Sequence, residues 1–286
     1  MFRIYDLNYK EVSFPVDDLG FGLKSLDIDI GPILYENIYT QSSRADKLVK
    51  RYPKDRTVTL HAMFTSYNKN VADWRLKRDV IYEFFRTLGV FYVAEEYQPF
   101  KLLKVLVDTD YLPDRPVNIW GMLEIPLKII DTPFKKSLHT TADIDSEGVR
   151  WNDKWGYGMG LSSEREQWKY SFDHNGGSGT FNLSFFNAGT EAIKLIQQKE
   201  SVIRIKFKSP GNFQQISDGN TTFRLDRKVV DGDVLEIKGN KVLLNGSNVL
   251  GETNRNFLTV KKGWNHWQLI GLWYLEFSID FRFLYD

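Results

Sequence analysis

Alternation of apolar and polar residues is the feature that most constrains how this chain can fold. Residues 58–64, 121–129, 203–207 and 273–283 each place an apolar side chain at every second position. A period of two puts these side chains on one face of a strand, with the other face towards solvent. The chain is therefore predicted to be mainly β. Pro126 cannot donate a ladder hydrogen bond, so we expect an edge position or a bulge there.

One segment of the first half breaks the period of two. From Val71 to Leu88 the apolar residues follow helical spacing, and Gly89 supplies a left-handed stop. The apolar run Leu102–Val107 predicts a further strand of the same unit. One helix laid on a sheet predicts an α+β domain.

The second half shows a different pattern of turn residues and apolar runs. Glycine with Asn or Asp recurs at short intervals, for example at Asp231–Gly232 and Asn245–Gly246, and separates short apolar runs. Many short strands without a strong helix predict a β-sandwich. Because Pro133 ends the preceding strand, we expect the boundary within 131–136, which gives domains 1–133 and 134–286.

A basic segment interrupts the first domain. It runs from Arg44 to Arg56 and holds only two acidic residues against six basic ones, which are Arg44, Lys47, Lys50, Arg51, Lys54 and Arg56. Thirteen residues exceed most connections in compact domains, so a protruding loop or ribbon is predicted. Either it is a solvated loop, or it forms a protein interface in which Leu48 and Tyr52 bury apolar surface.

The charge balance excludes several classes of partner. The 286 residues carry 38 Lys and Arg against 37 Asp and Glu, which argues against nucleic acid and against acidic membranes. Cysteine is absent, so disulfides and thiolate sites are excluded. The first twenty residues are too charged for the apolar core of a signal peptide, and we expect synthesis and folding in the cytoplasm.

No catalytic or cofactor motif stands out. The four histidines are scattered, and glycine-rich phosphate loops and the GxSxG nucleophile motif are lacking. The neighbouring carboxylates, such as Asp27 with Asp29, fit the solvent face of a strand better than a glycosidase pair. We predict that the chain binds no metal or cofactor and is not an enzyme.

Six of the eight tryptophans follow residue 150. Exposed indoles on a β-sandwich can stack against sugar rings, whereas buried ones anchor a core. Trp151, Trp155 and Trp168 are the candidate contacts for a glycan or a partner.

Several phrases of the second half, in order, resemble the distal tail protein (Dit) family of long-tailed phages. They are Phe186–Thr190, Asp231–Ile237, Val242–Asn248 and Phe257–Val260 followed by Lys262–Asn265, where Lys262 replaces the usual proline. The succession of strand, helix and two strands that ends at Asp131–Thr132–Pro133 is similar to the N-terminal domain of that family.

The resemblance implies a tail-tube-like ring domain with a protruding belt, at about residues 40–56, followed by a galectin-like β-sandwich. It implies a homo-hexameric hub at the virion tail tip, made in the bacterial host cytoplasm. The implied partners are the tail tube protein, the tail-associated adhesin or lysin and, in some phages, a receptor-binding protein. In that setting Arg44, Leu48, Arg51, Tyr52 and Arg56 would lie at the subunit interface.

Two alternatives remain open on the sequence. The chain could be a carbohydrate-binding β-sandwich protein that contacts host cell-wall glycans, or a glycan-active hydrolase on a sandwich fold. The tryptophan excess motivates the first, and aromatic content alone motivates the second.

Overall fold

The computed structural model describes residues 1–18, 20–41, 46–67, 71–117, 119–149, 154–156, 158–161, 168–176, 179–212, 215–271 and 274–286. The chain divides into two compact units. The first comprises Met1–Lys136 together with Asp286, and the second comprises Ser137–Tyr285. No helix among the described residues combines the length and the apolar character needed to cross a membrane.

The first unit is an antiparallel sheet with one long helix. Its strands are β1 (Phe2–Tyr5), β2 (Leu23–Ile30), β3 (Leu34–Gln41), β4 (Asp46–Asp55), β5 (Val58–Thr65), β6 (Val90–Glu95), β7 (Lys101–Leu106), β8 (Asp114–Val117) and β9 (Trp120–Ile129), and its helix is α1 (Val71–Leu88). The main sheet has the order β1-β6-β7-β9-β5-β2, and β8 pairs with β9. Among the described residues, strands β3 and β4 pair only with each other and form a separate ribbon.

The inward face of this sheet and one side of α1 form the first core. The alternation predicted for β5 and β9 is confirmed, since every second residue of both strands is buried. Helix α1 has the predicted bounds, is followed by Gly89 with φ 60°, and buries Trp74, Ile81 and Phe85. Because the helix turns by 100° per residue, Val80 falls outside the buried stripe and is 48% exposed.

Pro126 occupies a position where a missing N–H is tolerated. Strand β9 lies inside the sheet and not at its edge, and its register with β5 is continuous through Thr59 opposite Pro126. On the other side of β9, β8 pairs with residues 120–122 and β7 with residues 128–129. Pro126 falls between these two pairings, so the edge that the sequence predicts exists only locally.

The second unit is built from short strands, as predicted. They are β10 (Lys135–Ser137), which begins before the boundary, β11 (Ser171–Asn175), β12 (Thr180–Asn187), β13 (Ile193–Lys194), β14 (Val202–Phe207), β15 (Gly211–Asn212), β16 (Gln215–Ser217), β17 (Thr222–Arg224), β18 (Lys228–Val229), β19 (Val234–Lys238), β20 (Lys241–Leu244), β21 (Ser247–Asn248), β22 (Thr259–Val260), β23 (Gly263–Ile270), β24 (Tyr274–Asp280) and β25 (Leu284–Tyr285). A short helix, α2 (Thr141–Glu147), precedes the sheets, and Leu250–Glu252 forms a 3₁₀ turn.

Two sheets enclose the second core. One has six strands in the order β11-β24-β14-β19-β20-β21, and the other has four in the order β12-β23-β16-β17. Trp267 of the smaller sheet meets Phe277 of the larger one, with ring centroids 6.4 Å apart. Tyr170 is buried against Phe185, and its hydroxyl donates to the carbonyl oxygen of Phe186 at 2.7 Å. The prediction of a mainly β chain, with an α+β domain followed by a β-sandwich, is confirmed.

Candidate functional site

The β3–β4 ribbon is the segment that the basic sequence bias singles out. All of β4 is exposed except Asp55, which is half-buried. At its base the backbone N–H of Gly31 donates to the carbonyl oxygen of Thr57 at 2.8 Å, so the two ends of the ribbon lie side by side. The predicted loop or ribbon is therefore a two-stranded ribbon.

The side chains of the ribbon lie on two faces, and two bulges change which residues share a face. Register shifts occur between Leu34 and Tyr35 and between Ile38 and Tyr39, and directly opposed residues of an antiparallel pair share a face. One side, here called the tyrosine face, carries Tyr35, Asn37, Tyr39, Leu48, Arg51 and Pro53. The other, here called the lysine face, carries Glu36, Ile38, Thr40, Lys47, Lys50 and Tyr52.

Cation–aromatic contacts agree with this assignment. The Arg51 guanidinium lies 3.8 Å from the ring centroid of Tyr35 on the tyrosine face. The Lys50 ammonium lies 4.5 Å from the ring centroid of Tyr52 on the lysine face. Both contacts hold a cation over an aromatic ring, which is worth about 0.5–1 kcal/mol at an exposed site.

The ribbon exposes more apolar surface than a solvated loop needs. Val49, Tyr39, Leu48 and Ile38 are 57%, 54%, 49% and 45% exposed. Tyr39 and Leu48 lie opposite each other on the tyrosine face, and adjoining large apolar side chains that are exposed on a polar surface are typical of a protein-interaction site.

The structure divides the five predicted interface residues. Leu48 and Arg51 share the tyrosine face, Tyr52 lies on the opposite face, and Arg44 lies outside the described residues. Register shifts decide on which face a residue falls, and the sequence pattern does not reveal them.

Arg56, unlike the described residues of the predicted interface on the ribbon, is buried. It is only 8% exposed, and its guanidinium donates to the carbonyl oxygens of Gly31 at 2.8 Å and Pro133 at 3.3 Å. Burial lowers the pKa of this side chain. These hydrogen bonds fasten the base of the ribbon to the domain, so we assign Arg56 a structural role.

The structure describes two of the three candidate tryptophan contacts, Trp155 and Trp168. Trp155 is 1% exposed and packs edge-on against Phe283 at 6.1 Å, so it is a core residue. Trp168 is half-buried, and its Nε1 is buried without a hydrogen-bond partner among the described residues. Trp151 and Trp273 lie outside the described residues.

Strand pairing produces one cluster that the sequence did not reveal. His61 of β5 lies between Asp29 of β2, at 2.8 Å, and Glu124 of β9, at 4.0 Å. Among the residues that the structure describes, no group of three or more His, Asp or Glu side chains could hold a metal ion. The cluster is a row of polar side chains, in contact across three neighbouring strands of the first sheet.

The phrases that carry the resemblance fasten backbone segments in the second unit. Asn187 accepts from Gly189 N–H at 2.9 Å and donates to the carbonyl oxygen of Glu191 at 2.9 Å. A Cβ at Gly189 would lie 2.6 Å from the carbonyl oxygen of Leu284. Asn265 likewise bonds both the N–H and the carbonyl oxygen of Lys261. These short polar motifs are structural, which explains how they can mark a fold.

Comparison with known proteins fits this architecture. No family model matches the chain, and no curated protein does. Among solved structures it is similar to the Dit (gp 19.1) protein of phage SPP1, described as a paradigm of the hub adsorption apparatus in phages that infect Gram-positive hosts. The TM-score is 0.65 over 99% of this chain and 100% of that one, at 9% sequence identity.

This chain has the Dit fold. The similarity spans both units, so the predicted resemblance is confirmed at the level of the fold. A chain of the phage P2 baseplate in its activated conformation also matches, with a TM-score of 0.42 at 14% identity over 98% of this chain and 97% of that one.

Proposed function

We propose that the chain is a structural hub protein of a phage tail tip, without catalytic activity of its own. The observation that carries the proposal is the end-to-end likeness to SPP1 Dit, which covers 99% of this chain and all of that one. In this role six copies form a ring that joins the tail tube protein to the tail-associated adhesin or lysin and, in some particles, to a receptor-binding protein.

The first unit is assigned to ring formation, and the β3–β4 ribbon is its belt. A closed ring needs a heterologous contact, in which a protruding element of one subunit meets a different surface of the next. The ribbon is exposed along its length and pairs with no other strand among the described residues, so it meets this requirement.

The tyrosine face of the ribbon is assigned to the subunit contact. Interface cores are enriched in aromatic residues and arginine and depleted in lysine. Tyr35, Tyr39, Leu48 and Arg51 match that composition, whereas Lys47 and Lys50 on the lysine face suit solvent.

The test replaces the ribbon and measures assembly. Since Gly31 and Thr57 are hydrogen-bonded, Leu34–Asp55 can be exchanged for a short Gly–Ser link that leaves the buried Ile33 and Arg56 in place. In native mass spectrometry the parent should give a species of six times the 33.4 kDa chain, with a central channel by negative-stain microscopy. The ribbonless chain should fold and stay monomeric.

Two results would contradict the proposal. A parent that remains monomeric at every concentration would argue against a ring. A ribbonless variant that unfolds at the parent temperature and still assembles would move the subunit contacts to the sheet edges.

A further inference from the structure

The outer faces of the two sheets in the second unit differ completely in charge. On the six-stranded sheet, Arg204 pairs with Glu236 at 3.1 Å and Lys208 pairs with Glu276 at 2.7 Å. In the four-stranded sheet, β12, β23 and β16 contain no Asp, Glu, Lys or Arg at all. Its first charged side chain is Arg224 on the outer strand β17, which pairs with Asp226 at 2.7 Å.

Instead of charges, this sheet presents amides, hydroxyls, an imidazole and an indole. The alternation along its strands turns these side chains away from the core. We call this surface the neutral face and define it by Asn182, Ser184, Ser217, Trp264, His266 and Gln268. In the strand register Gln268 lies opposite both Asn182 and Ser217, and His266 lies opposite Ser184.

The aromatic part of the neutral face is held in place. Trp264 is 43% exposed, and the ring of Phe186 packs edge-on against it with centroids 5.5 Å apart. Its indole plane is within 9° of the His266 ring plane, at a centroid distance of 6.3 Å. His266 Nδ1 is hydrogen-bonded to the Ser184 hydroxyl at 2.7 Å, so Nε2 is the ring nitrogen that can meet a ligand.

We propose that the neutral face binds an uncharged polysaccharide, with Trp264 as the stacking residue. A pyranose ring offers C–H groups on its face and hydroxyls around its rim. The C–H groups can pack against an indole whose ring is fixed. The hydroxyls can form hydrogen bonds with side chains that both donate and accept. This binding activity is separate from the hub role and does not depend on it.

The composition of the face selects this ligand over others. Nucleic acid and anionic polysaccharides need cationic side chains to offset their charge, and β12, β23 and β16 have none. A protein interface core needs several apolar anchors, whereas Trp264 is the one exposed large apolar side chain among the described residues of β12, β16 and β23.

The dimensions of the face favour a chain of sugars over a single one. Trp264, His266 and Gln268 follow one another along β23 at every second position, which spans about 13 Å at the usual rise per residue. This length exceeds one pyranose ring, so binding should strengthen from a monosaccharide to an oligosaccharide of the same sugar.

The experiment is affinity electrophoresis of the full chain in native gels. The gels contain dextran, mannan, galactan or a soluble β-glucan, with heparin as the charged comparator. We expect retardation by at least one neutral polymer. Any retardation by heparin, which the exposed cations of the β3–β4 ribbon can bind, should be the same for the parent and for Trp264→Ala. Trp264→Ala should raise the dissociation constant obtained from the retardation about tenfold, which corresponds to about 1.4 kcal/mol.

Trp120→Ala is the matched control, because Trp120 is also 43% exposed but lies in the first unit. It should bind as the parent does. If Trp264→Ala fails to fold by circular dichroism, the double variant Asn182→Ala with Gln268→Ala decides, since both side chains are exposed.

Three outcomes would overturn the proposal. They are no retardation by any of the neutral polymers, retardation by heparin alone, or equal retardation of the parent and the Trp264 variant. A Trp264 variant that loses assembly while the parent binds no polymer would identify the face as a protein contact instead.

Discussion

Phe64 lies directly opposite Gly121 across strands β5 and β9, and a Cβ at position 121 would fall 2.1 Å from its ring Cε1. Phe64 is fully buried and also meets the ring of Trp74 at 5.2 Å, so it has little room to yield. The absence of a side chain at Gly121 therefore leaves room for the Phe64 ring in the core of the first unit.

Gly121→Ala should lower the free energy of unfolding by about 1–3 kcal/mol, because an added methyl group overpacks this site. Urea unfolding measures the effect. The control is Gly251→Ala, since nothing lies within 4 Å of a Cβ built there. Equal stability of the two variants would show that Phe64 can move aside.

Arg56→Met should destabilise the chain by about 1–3 kcal/mol, because it leaves the carbonyl oxygens of Gly31 and Pro133 without their donor. The exposed Arg51→Met should leave stability within about 0.5 kcal/mol of the parent. Assembly should show the reverse order, with the folded Arg56 variant still forming rings. Thermal unfolding together with native mass spectrometry separates the two effects, and a stable, monomeric Arg56 variant would return this residue to the interface.

Substitution of one ribbon face should abolish the ring, and substitution of the other should not. Tyr39→Ser with Leu48→Ser removes apolar surface from the tyrosine face, where truncation of an interface anchor costs about 2 kcal/mol or more. Lys47→Ser with Lys50→Ser changes two exposed residues of the lysine face. Analytical ultracentrifugation should find the first variant monomeric and the second assembled. The opposite result would assign the contact to the lysine face.

The stability of the second unit should depend on the protonation of His139. Burial lowers the pKa of this imidazole, the positive charges of Lys154 and Arg282 lower it further, and Asp143 opposes them. The unfolded state therefore binds the proton first as pH falls below about 6.5, and the free energy of unfolding decreases there. In urea unfolding between about pH 7.5 and pH 5.5, His139→Gln should lose less stability than the parent. Parallel curves would show that other groups cause the acid sensitivity.

The sequence determined much of the local structure, because it is set by neighbours along the chain. Alternation fixed which residues of β5 and β9 enter the core. Helical spacing and Gly89 fixed both ends of α1. The basic charge bias predicted a protruding ribbon at β3–β4. The short phrases of the second half indicated the resemblance to the Dit fold.

Contacts between distant segments decided the rest. Arg56 is one residue beyond β4 and looks like part of the basic segment, yet Gly31 and Pro133 receive its hydrogen bonds inside the domain. The register shift between Ile38 and Tyr39 decides that Leu48 shares a face with Arg51 and not with Tyr52. Trp155 and Trp264 have equally polar surroundings in sequence, but one is 1% exposed and the other 43%. A side chain's exposure depends on what the tertiary fold lays over it, and single-residue patterns carry no record of that.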